Sequence, residues 1–372
     1  MKQSVDVLVV GLGPAGSAAA IAAAGAGLRV LAIERKQQIG VPVQCAEYIP
    51  LPIARYAQAT GVLQQPVKGM TSRLASGVAH HSALPGLMVD RAAFDQALAR
   101  QATEQGAELW SESRLISVDA QQQCATVKTP TGECAIHYRV LIAADGPHSS
   151  VASSLKLAPL ASVFTRQYTV SLLQPLHDTE VWLSAEFPGG YAWLFPKGAY
   201  ANLGAGADKR YTHDLKLPLD ALHRSLQEQG LVGAEIINLT GGLIPVGGLR
   251  ANMVLGNIVF VGDAAGLTHP ITGAGIAAAI ASGELAGEAA ARYLQQGQAE
   301  ALKNYETEIR ERYAPSLQRA LVRRAQLDAY RQANLSEAQQ RQAWIAFPEY
   351  YEVLPEYAVQ STSALHHAQE NL

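Results

Sequence analysis

The apolar positions near the N-terminus alternate between strand and helix periods. Residues 6–10 form a β-branched run that ends at glycines, residues 15–24 favour helix, and residues 30–33 are apolar again. This succession within about 30 residues predicts a βαβ unit with buried, parallel strands. Residues 7–28 carry no charge, but their glycines and Pro14 favour strand, turn and helix over a membrane span.

The pattern changes twice along the rest of the chain. A predicted helix at 89–105 and a predicted β-meander over 115–140 continue the first pattern. Between 151 and 249 strand-like runs replace the alternation of strand and helix. A buried strand followed by a small-residue helix returns over 258–294.

We therefore predict an α/β fold with a Rossmann-like domain built from a discontinuous chain, an antiparallel-sheet domain and a helical C-terminal segment. The predicted boundaries are 1–45, 86–155 and 250–300 for the Rossmann-like domain, 46–85 and 156–249 for the antiparallel domain, and 301–372 for the helical segment. Arg319, Arg323 and Arg324 lie in the last segment, where we expect a solvated helix face.

The composition narrows the class of protein. Of the 372 residues, 48% are hydrophobic and 16% are charged, which favours a globular chain over a disordered one. The net charge of -3 provides no field that would attract nucleic acid. Cys45, Cys124 and Cys134 form no C-x-x-C pair, and no histidine spacing suits a metal, so we expect a cytoplasmic protein without disulfides or a metal site.

A glycine-rich turn carries the first chemical signal. Its sequence is G-x-G-x-x-G, it lies between the first predicted strand and helix, and Glu34 ends the next strand. Glycines in this position let backbone N–H groups approach a pyrophosphate at the helix N-terminus, and the acid can bind a ribose. The predicted dinucleotide ligands are Gly11, Gly13, Pro14, Ala15, Gly16, Glu34 and Arg35.

Two aspartates follow buried strands elsewhere in the chain. Asp145 follows the strand that ends at about residue 144, and Gly262-Asp263 follows the strand at 258–261. The carboxyl ends of parallel strands meet at one edge of an open α/β sheet, which is where ligands bind. We therefore expect both acids to lie beside the cofactor.

Together, the glycine fingerprint, Asp145-Gly146 and Gly262-Asp263 resemble the flavoproteins related to para-hydroxybenzoate hydroxylase. Within that group, residues 262–276 are similar to the geranylgeranyl reductase family. The resemblance implies FAD, with Arg91 helping to hold the dinucleotide. It also implies a helix N-terminus aimed at the flavin, formed by Pro270, Gly273, Ala274 and Gly275.

The same resemblance extends to the antiparallel domain. Tyr191, Trp193, Phe195, Gly204 and Gly206 match the substrate-pocket pattern of the family. In a strand the three aromatics share one face, which would form the wall of an apolar or aromatic pocket, or else ordinary core.

The resemblance also places Cys45 beside the isoalloxazine ring. In the family small residues usually follow this cysteine, whereas here Ala46, Glu47 and Tyr48 follow. We take Cys45, Glu47 and Tyr48 as candidate catalytic residues.

Two flavin chemistries remain at this point. The sequence around Cys45 resembles that of flavoproteins that accompany tryptophylquinone-containing oxidases. This resemblance favours a monooxygenase that hydroxylates an aromatic substrate, namely a tryptophan of a partner oxidase. The alternatives are a prenyl-lipid reductase, which would contact a membrane surface, and a non-catalytic escort protein on the same scaffold. Only one dinucleotide fingerprint exists, so NAD(P)H, if it is the electron donor, binds transiently.

Overall fold

The computed structural model describes residues 2–329 and 336–352. The strands are β1 (Lys2–Val10), β2 (Val30–Ile33), β3 (Tyr48–Pro50), β4 (Leu63–Val67), β5 (Gly69–Arg73), β6 (Ala79–Ser82), β7 (Gly86–Val89), β8 (Glu108–Trp110), β9 (Arg114–Asp119), β10 (Cys124–Thr129), β11 (Gly132–Ala143), β12 (Ser162–Leu172), β13 (Asp178–Trp182), β14 (Ala192–Lys197), β15 (Tyr200–Ala207), β16 (Val232–Thr240), β17 (Leu243–Pro245), β18 (Val254–Leu255) and β19 (Ile258–Phe260). The helices are α1 (Pro14–Gly25), α2 (Arg91–Glu104), α3 (Ser150–Ser154), α4 (Lys216–Glu228), α5 (Ile276–Gln295), α6 (Ala301–Ala329) and α7 (Glu337–Ala343), with 3-10 turns at Leu51–Ala57, Gly262–Ala265 and Pro348–Tyr351.

The first sheet has the order β18-β19-β11-β1-β2-β8, and its central strands are parallel. Helices α1 and α5 pack closely because small residues line their contact. A side chain at Gly283 of α5 would meet the carbonyl oxygen of Ala15 at 2.1 Å. The low-charge stretch at 7–28 is therefore the buried strand and helix that the pattern predicts.

The second sheet has the order β16-β12-β15-β14-β13-β5-β6, and it is antiparallel except where β13 runs parallel to β5. Three short strands form a smaller third sheet in the order β3-β7-β4. The α/β class with a Rossmann-like domain and a helical C-terminal region is confirmed. The exact domain boundaries stay a prediction. Strand β7 begins at the predicted boundary at residue 86 and pairs with β3 and β4, which come before that boundary.

The C-terminal region packs onto the second sheet, and there one expectation is wrong. Arg323 is 1% exposed, and its guanidinium donates hydrogen bonds to the carbonyl oxygens of Glu349, Tyr350 and Glu352 at 2.8–3.1 Å. Arg324 is buried as well, whereas Arg319 is exposed. Arg323 therefore holds the chain after α7, and Arg324 binds the carboxylate of Asp208 and the carbonyl oxygen of Pro270, so neither forms a solvated face. The part of 301–372 beyond Glu352 lies outside the described residues.

None of the helices in the described ranges is both long and apolar enough to cross a membrane.

Replacing Arg323 by Met should loosen the segment 336–352. Three buried carbonyl groups lose a charged donor, so we expect the free energy of unfolding to fall on the order of 3 kcal/mol. Urea unfolding measures the loss, and limited proteolysis should cut first in this segment. Arg319→Met is the control, because the exposed Arg319 only covers the ring of Tyr351. Equal effects of both substitutions would refute the assignment.

Candidate active site

The turn between β1 and α1 is shaped for a phosphate group. Gly11 has a φ of 97°, and a side chain there would meet the carbonyl oxygen of Ala144 at 2.5 Å. A side chain at Gly16 would lie 1.9 Å from the carbonyl oxygen of Gly11. Above Gly13, in contrast, no atom comes within 4 Å of an added Cβ. The turn is thus tightly packed below and open above, where a pyrophosphate would meet the N-terminus of α1.

Glu34 lies at the end of β2, next to this turn. Its carboxylate oxygens accept hydrogen bonds from the backbone N–H groups of Leu12 and Lys36, both at 3.0 Å. These bonds hold the carboxylate at the rim of a cleft while leaving it acceptor positions for a ribose. Of the predicted residues, those lining this one cleft are Gly11, Gly13, Glu34, Arg35, Cys45, Arg91 and Asp145.

Asp145 has a buried carboxylate oxygen that a bound cofactor could pair with. Its Oδ2 accepts a hydrogen bond from the N–H of Val151 at 3.0 Å. Its Oδ1 is buried and has no partner among the described residues, and burial raises the pKa of this carboxyl. An unpaired buried oxygen is costly. A ligand with hydroxyl groups in the cleft would satisfy it, in keeping with the expectation that Asp145 lies beside the cofactor.

Asp263 and the start of α5 approach the same region from β19. Thr268 donates a hydrogen bond to Asp263 at 2.6 Å, while burial raises the pKa of the aspartate. An added Cβ at Gly262 would lie 3.0 Å from the Cβ of Ala15, so this loop abuts the phosphate turn. Gly275 caps α5, whose first turn holds no acid. The predicted stretch from Pro270 through Gly273 and Ala274 leads into this positive helix end.

Arg91 lies in the same cleft as Cys45. Its guanidinium forms two hydrogen bonds with the carboxylate of Asp95 at 2.9–3.0 Å, and its side chain is 15% exposed. Burial alone would lower the pKa of Arg91, but the charge of Asp95 and the neighbouring Cys45 raise it overall. Arg91 therefore carries its charge beside the Cys45 sulfur and within electrostatic reach of Asp263.

Glu47 and Tyr48, although adjacent to Cys45, point away from the cleft. Glu47 is only 3% exposed. Its carboxylate accepts hydrogen bonds from the ammonium group of Lys197 at 2.8 and 2.9 Å, from the side-chain amide of Asn202 at 2.8 Å and from the backbone N–H of Arg91 at 2.9 Å. The Tyr48 hydroxyl lies 3.3 Å from the carbonyl oxygen of Pro85. The structure thus gives Glu47 an anchoring position, while a catalytic role for either residue stays a prediction.

Aromatic side chains form a continuous cluster on the second sheet. Tyr191 packs edge-on against Trp193, with ring centres 5.7 Å apart, and against Trp344, with ring centres 4.9 Å apart. Phe195 contacts Tyr48. Trp193 and Phe195 are only 6% and 8% exposed, so the C-terminal region covers much of the wall that the sequence predicts.

Tyr191 also faces the cofactor region. Its hydroxyl donates a hydrogen bond to the carbonyl oxygen of Thr272, in the stretch before α5. Burial raises the pKa of Tyr191, and the nearby Cys45 raises it further. Cys45, Arg91, Tyr191 and Thr272 therefore surround one place.

One predicted substrate contact needs correction. Gly204 is paired with Trp193 across β14 and β15, and a Cβ at Gly204 would lie 2.4 Å from the indole ring. The space at Gly204 is occupied by Trp193 and is not open to a substrate. At Gly206 an added Cβ would meet Thr165 at an ordinary 3.5 Å.

Sequence reasoning missed several polar residues that organise the site. Gln167, Lys197 and Asn202 lie on three strands of the second sheet, and Asp95 lies on α2. Lys197 directly follows the aromatic pattern, and Asp95 follows Arg91 at a helical spacing, so these two left a local signal. Gln167 and Asn202 left none, because only strand register brings them to the Cys45 loop.

Comparison with known proteins agrees with this geometry. Residues 6–146 match the family model described as FAD dependent oxidoreductase, and residues 208–351 match the model described as lycopene cyclase protein. The chain is 32% identical to a digeranylgeranylglycerophospholipid reductase of Methanocella arvoryzae, over 85% of this chain and 86% of that protein. The chain belongs to the geranylgeranyl reductase-like family of FAD-dependent oxidoreductases. Its cofactor is FAD.

Other relatives of this geranylgeranyl reductase-like protein carry related names. A digeranylgeranylglycerophospholipid reductase of Methanosarcina acetivorans is 34% identical over 80% of this chain and 77% of that protein. A geranylgeranyl bacteriochlorophyll reductase-like protein of Thermoplasma acidophilum superposes with a TM-score of 0.82 at 30% identity and 88% coverage of each chain. Aklavinone-11 hydroxylase, with a TM-score of 0.70 at 19% identity over 92% of this chain and 70% of that one, shares the fold.

These findings overturn one functional prediction. The expectation of a monooxygenase that hydroxylates a tryptophan of a partner oxidase is wrong, because the similar curated proteins are named as prenyl-lipid reductases. The presence of Glu47 and Tyr48 after Cys45 had supported that expectation. In the structure Glu47 instead provides the buried anchor described above. The cytoplasmic location stays a prediction.

Replacing Glu34 by Gln should weaken FAD binding. The amide would place a donor against one of the two N–H groups, that of Leu12 or that of Lys36, and would lose a charged acceptor, which predicts a Kd about 10- to 100-fold higher. Quenching of FAD fluorescence on titration into deflavinated protein measures this. The exposed Glu108 on the neighbouring strand β8 provides the control, Glu108→Gln. An unchanged Kd for Glu34→Gln would remove Glu34 from the cofactor site.

His269 should make stability depend on pH. Burial lowers the pKa of His269 from 6.5 to about 4, and its Nδ1 accepts from the N–H groups of Ile271 and Thr272. Between pH 6.5 and 4 the unfolded chain binds this proton and the folded one does not. The free energy of unfolding should therefore decrease by on the order of 3 kcal/mol as the pH is lowered across that window.

Urea unfolding of the wild type and of His269→Gln, at pH values from 7 down to about 4 and at constant FAD, isolates this contribution. The variant should lose less stability than the wild type as the pH falls. Parallel pH profiles would show that His269 does not titrate in this window.

Proposed function

We propose that this protein is an FAD-dependent prenyl-lipid reductase that saturates double bonds in geranylgeranyl-type chains of a glycerolipid. The observation that carries the proposal is the meeting of Cys45, Arg91 and Tyr191 beside the stretch that leads into α5. Similarity to curated digeranylgeranylglycerophospholipid reductases over four fifths of the chain or more supports the substrate class.

The chemistry requires two transfers. Reduction of an isolated alkene adds a hydride to one carbon and a proton to the other, and reduced FAD supplies the hydride when bound. The chain must supply the proton, hold the alkene in place and exclude water.

Cys45 and Tyr191 are the two proton-bearing groups at this place. The sulfur of Cys45 accepts a hydrogen bond from the N–H of Glu47 at 3.2 Å, and Arg91 lies beside it. After proton transfer, the charge of Arg91 would stabilise the negative sulfur. The Tyr191 hydroxyl donates a hydrogen bond to the carbonyl oxygen of Thr272, and its pKa is raised, so it serves better to orient the substrate than to give up its proton. We therefore assign proton donation to Cys45.

The apolar cluster suits a hydrocarbon substrate. Tyr191, Trp193 and Phe195 share one apolar cluster with Ala46, the neighbour of Cys45, and Trp344 and Phe347 belong to the same cluster. Ring faces contact a polyprenyl chain without requiring polar groups from it. An aromatic wall that is almost entirely buried also keeps water from the reduced cofactor.

Replacing Cys45 by Ala should lower the rate of alkene reduction on the order of 100-fold while leaving FAD bound, because only the proton donor is removed. The assay reduces the purified holoenzyme with dithionite under anaerobic conditions, adds a digeranylgeranyl glycerophospholipid, and follows the gain of hydrogen by mass spectrometry. Cys124→Ala is the matched control, since Cys124 is also half-buried but lies on β10 outside the cleft.

Reduction by the wild type that is lost in Cys45→Ala and retained in Cys124→Ala supports the proposal. Failure of the wild type to reduce the lipid would overturn the substrate class. Full activity of Cys45→Ala would leave the reaction but reassign the proton donor.

A further inference from the structure

Gln167 joins the aromatic cluster to the Cys45 loop. It lies on β12 and is 5% exposed. Its Oε1 accepts a hydrogen bond from the indole Nε1 of Trp193 at 3.1 Å, and its Nε2 donates to the carbonyl oxygen of Cys45 at 2.9 Å. Both ends of a buried amide are therefore used, and they connect two parts of the site that are 148 positions apart in sequence.

Gly204 makes this connection sterically possible. Across the neighbouring strands β14, β15 and β12, Trp193 is paired with Gly204 and Gly204 with Gln167. The indole crosses the middle strand to reach Gln167, and a Cβ at Gly204 would lie 2.4 Å from its Cζ2 and 2.9 Å from its Nε1. Any side chain at position 204 would displace the indole.

The backbone of Cys45 depends on this contact. Its neighbours have their own anchors, since Gln44 donates to the carbonyl oxygen of Gly241 and Glu47 forms its buried ion pair with Lys197. Within the described residues, the bond from Gln167 is the one hydrogen bond recorded for the backbone of Cys45 itself. The sulfur has its own contact with the N–H of Glu47 at 3.2 Å, whereas the backbone that carries the thiol is held by the bond from Gln167.

We propose that Gln167 is a positioning residue: held by Trp193 across Gly204, it fixes the Cys45 carbonyl and thereby the place of the thiol in the cofactor cleft. The proposal rests on the flavin site of the proposed function and does not depend on the prenyl-lipid substrate. It gives Trp193 and Gly204 a role in placing Cys45, in addition to forming a wall.

The test measures the accessibility of Cys45 in the FAD-bound protein. Gln167→Glu keeps the acceptor for Trp193 but loses the donor to Cys45, and Gln167→Leu loses both bonds. We expect iodoacetamide to modify Cys45 about three- to tenfold faster in each variant, the factor that loss of one neutral hydrogen bond predicts. Cys124 and Cys134, followed by peptide mass spectrometry, are internal references whose rates should not change.

Matched variants separate this positioning role from general loosening. Gln65→Leu also breaks a bridging amide, to Leu176 and Gly198, but it lies on β4 of the smaller sheet and has no hydrogen bond to Cys45, so it should leave the labelling of Cys45 unchanged. Gly204→Ala should accelerate labelling as Gln167→Leu does, because it displaces the indole. Gly206→Ala should not, since its methyl group meets only ordinary contacts.

A double-mutant cycle tests whether Trp193 acts through Gln167. Trp193→Phe alone should accelerate Cys45 labelling, and adding it to Gln167→Leu should accelerate labelling no further. In the lipid-reduction assay, the same variants should lower kcat while KM and the FAD absorbance are retained.

Unchanged Cys45 labelling in both Gln167 variants would overturn the proposal, as would additive effects in the cycle. If the wild type failed to reduce a prenyl lipid, the proposed function would fail, whereas the labelling comparison would still decide the role of Gln167.

Discussion

The site depends on a buried carboxylate, that of Glu47. It accepts hydrogen bonds from Lys197 on β14, from Asn202 on β15 and from the first backbone N–H of α2. Glu47 also has a φ of 70°, which a non-glycine residue adopts only when its surroundings hold it. A buried charge with one partner removed is strongly destabilising. The second sheet, the Cys45 loop and the helix that carries Arg91 are therefore fixed as one unit.

From this anchor the chemistry of the cleft follows. The Rossmann-like sheet contributes the phosphate turn, Glu34 and two carboxylates at strand ends, while the antiparallel sheet contributes aromatic rings and backbone anchors. Cys45 lies where the two contributions meet, near both Arg91 and Tyr191. Because the cluster around Trp193 is almost entirely buried, a hydride acceptor without polar groups fits this place better than a polar aromatic does.

Local sequence patterns predicted which residues meet at the edge of the Rossmann-like sheet, while their roles toward FAD stay a prediction. The phosphate glycines, Glu34, Asp145 and Asp263 all follow strands of clear apolar pattern, so parallel strand order alone predicts that they meet. The substrate half was not predictable in the same way. Gly204 was assigned to the substrate pocket because its register with Trp193 cannot be derived from the sequence of one strand. Arg323 was read as solvated because the carbonyl groups it binds follow α7, after a segment whose packing has no periodic signal. The reductase chemistry came from the likeness to curated proteins, since the residues after Cys45 had favoured oxygenation.

A structure of the FAD-bound protein would show whether Cys45 lies at the flavin. We expect the isoalloxazine ring to lie against the Cys45 sulfur, with Thr272 and the start of α5 at its edge, and the Gln167 bond to Cys45 to persist. A ring bound elsewhere in the cleft, or a Cys45 loop released from both Gln167 and the Glu47 anchor, would contradict it.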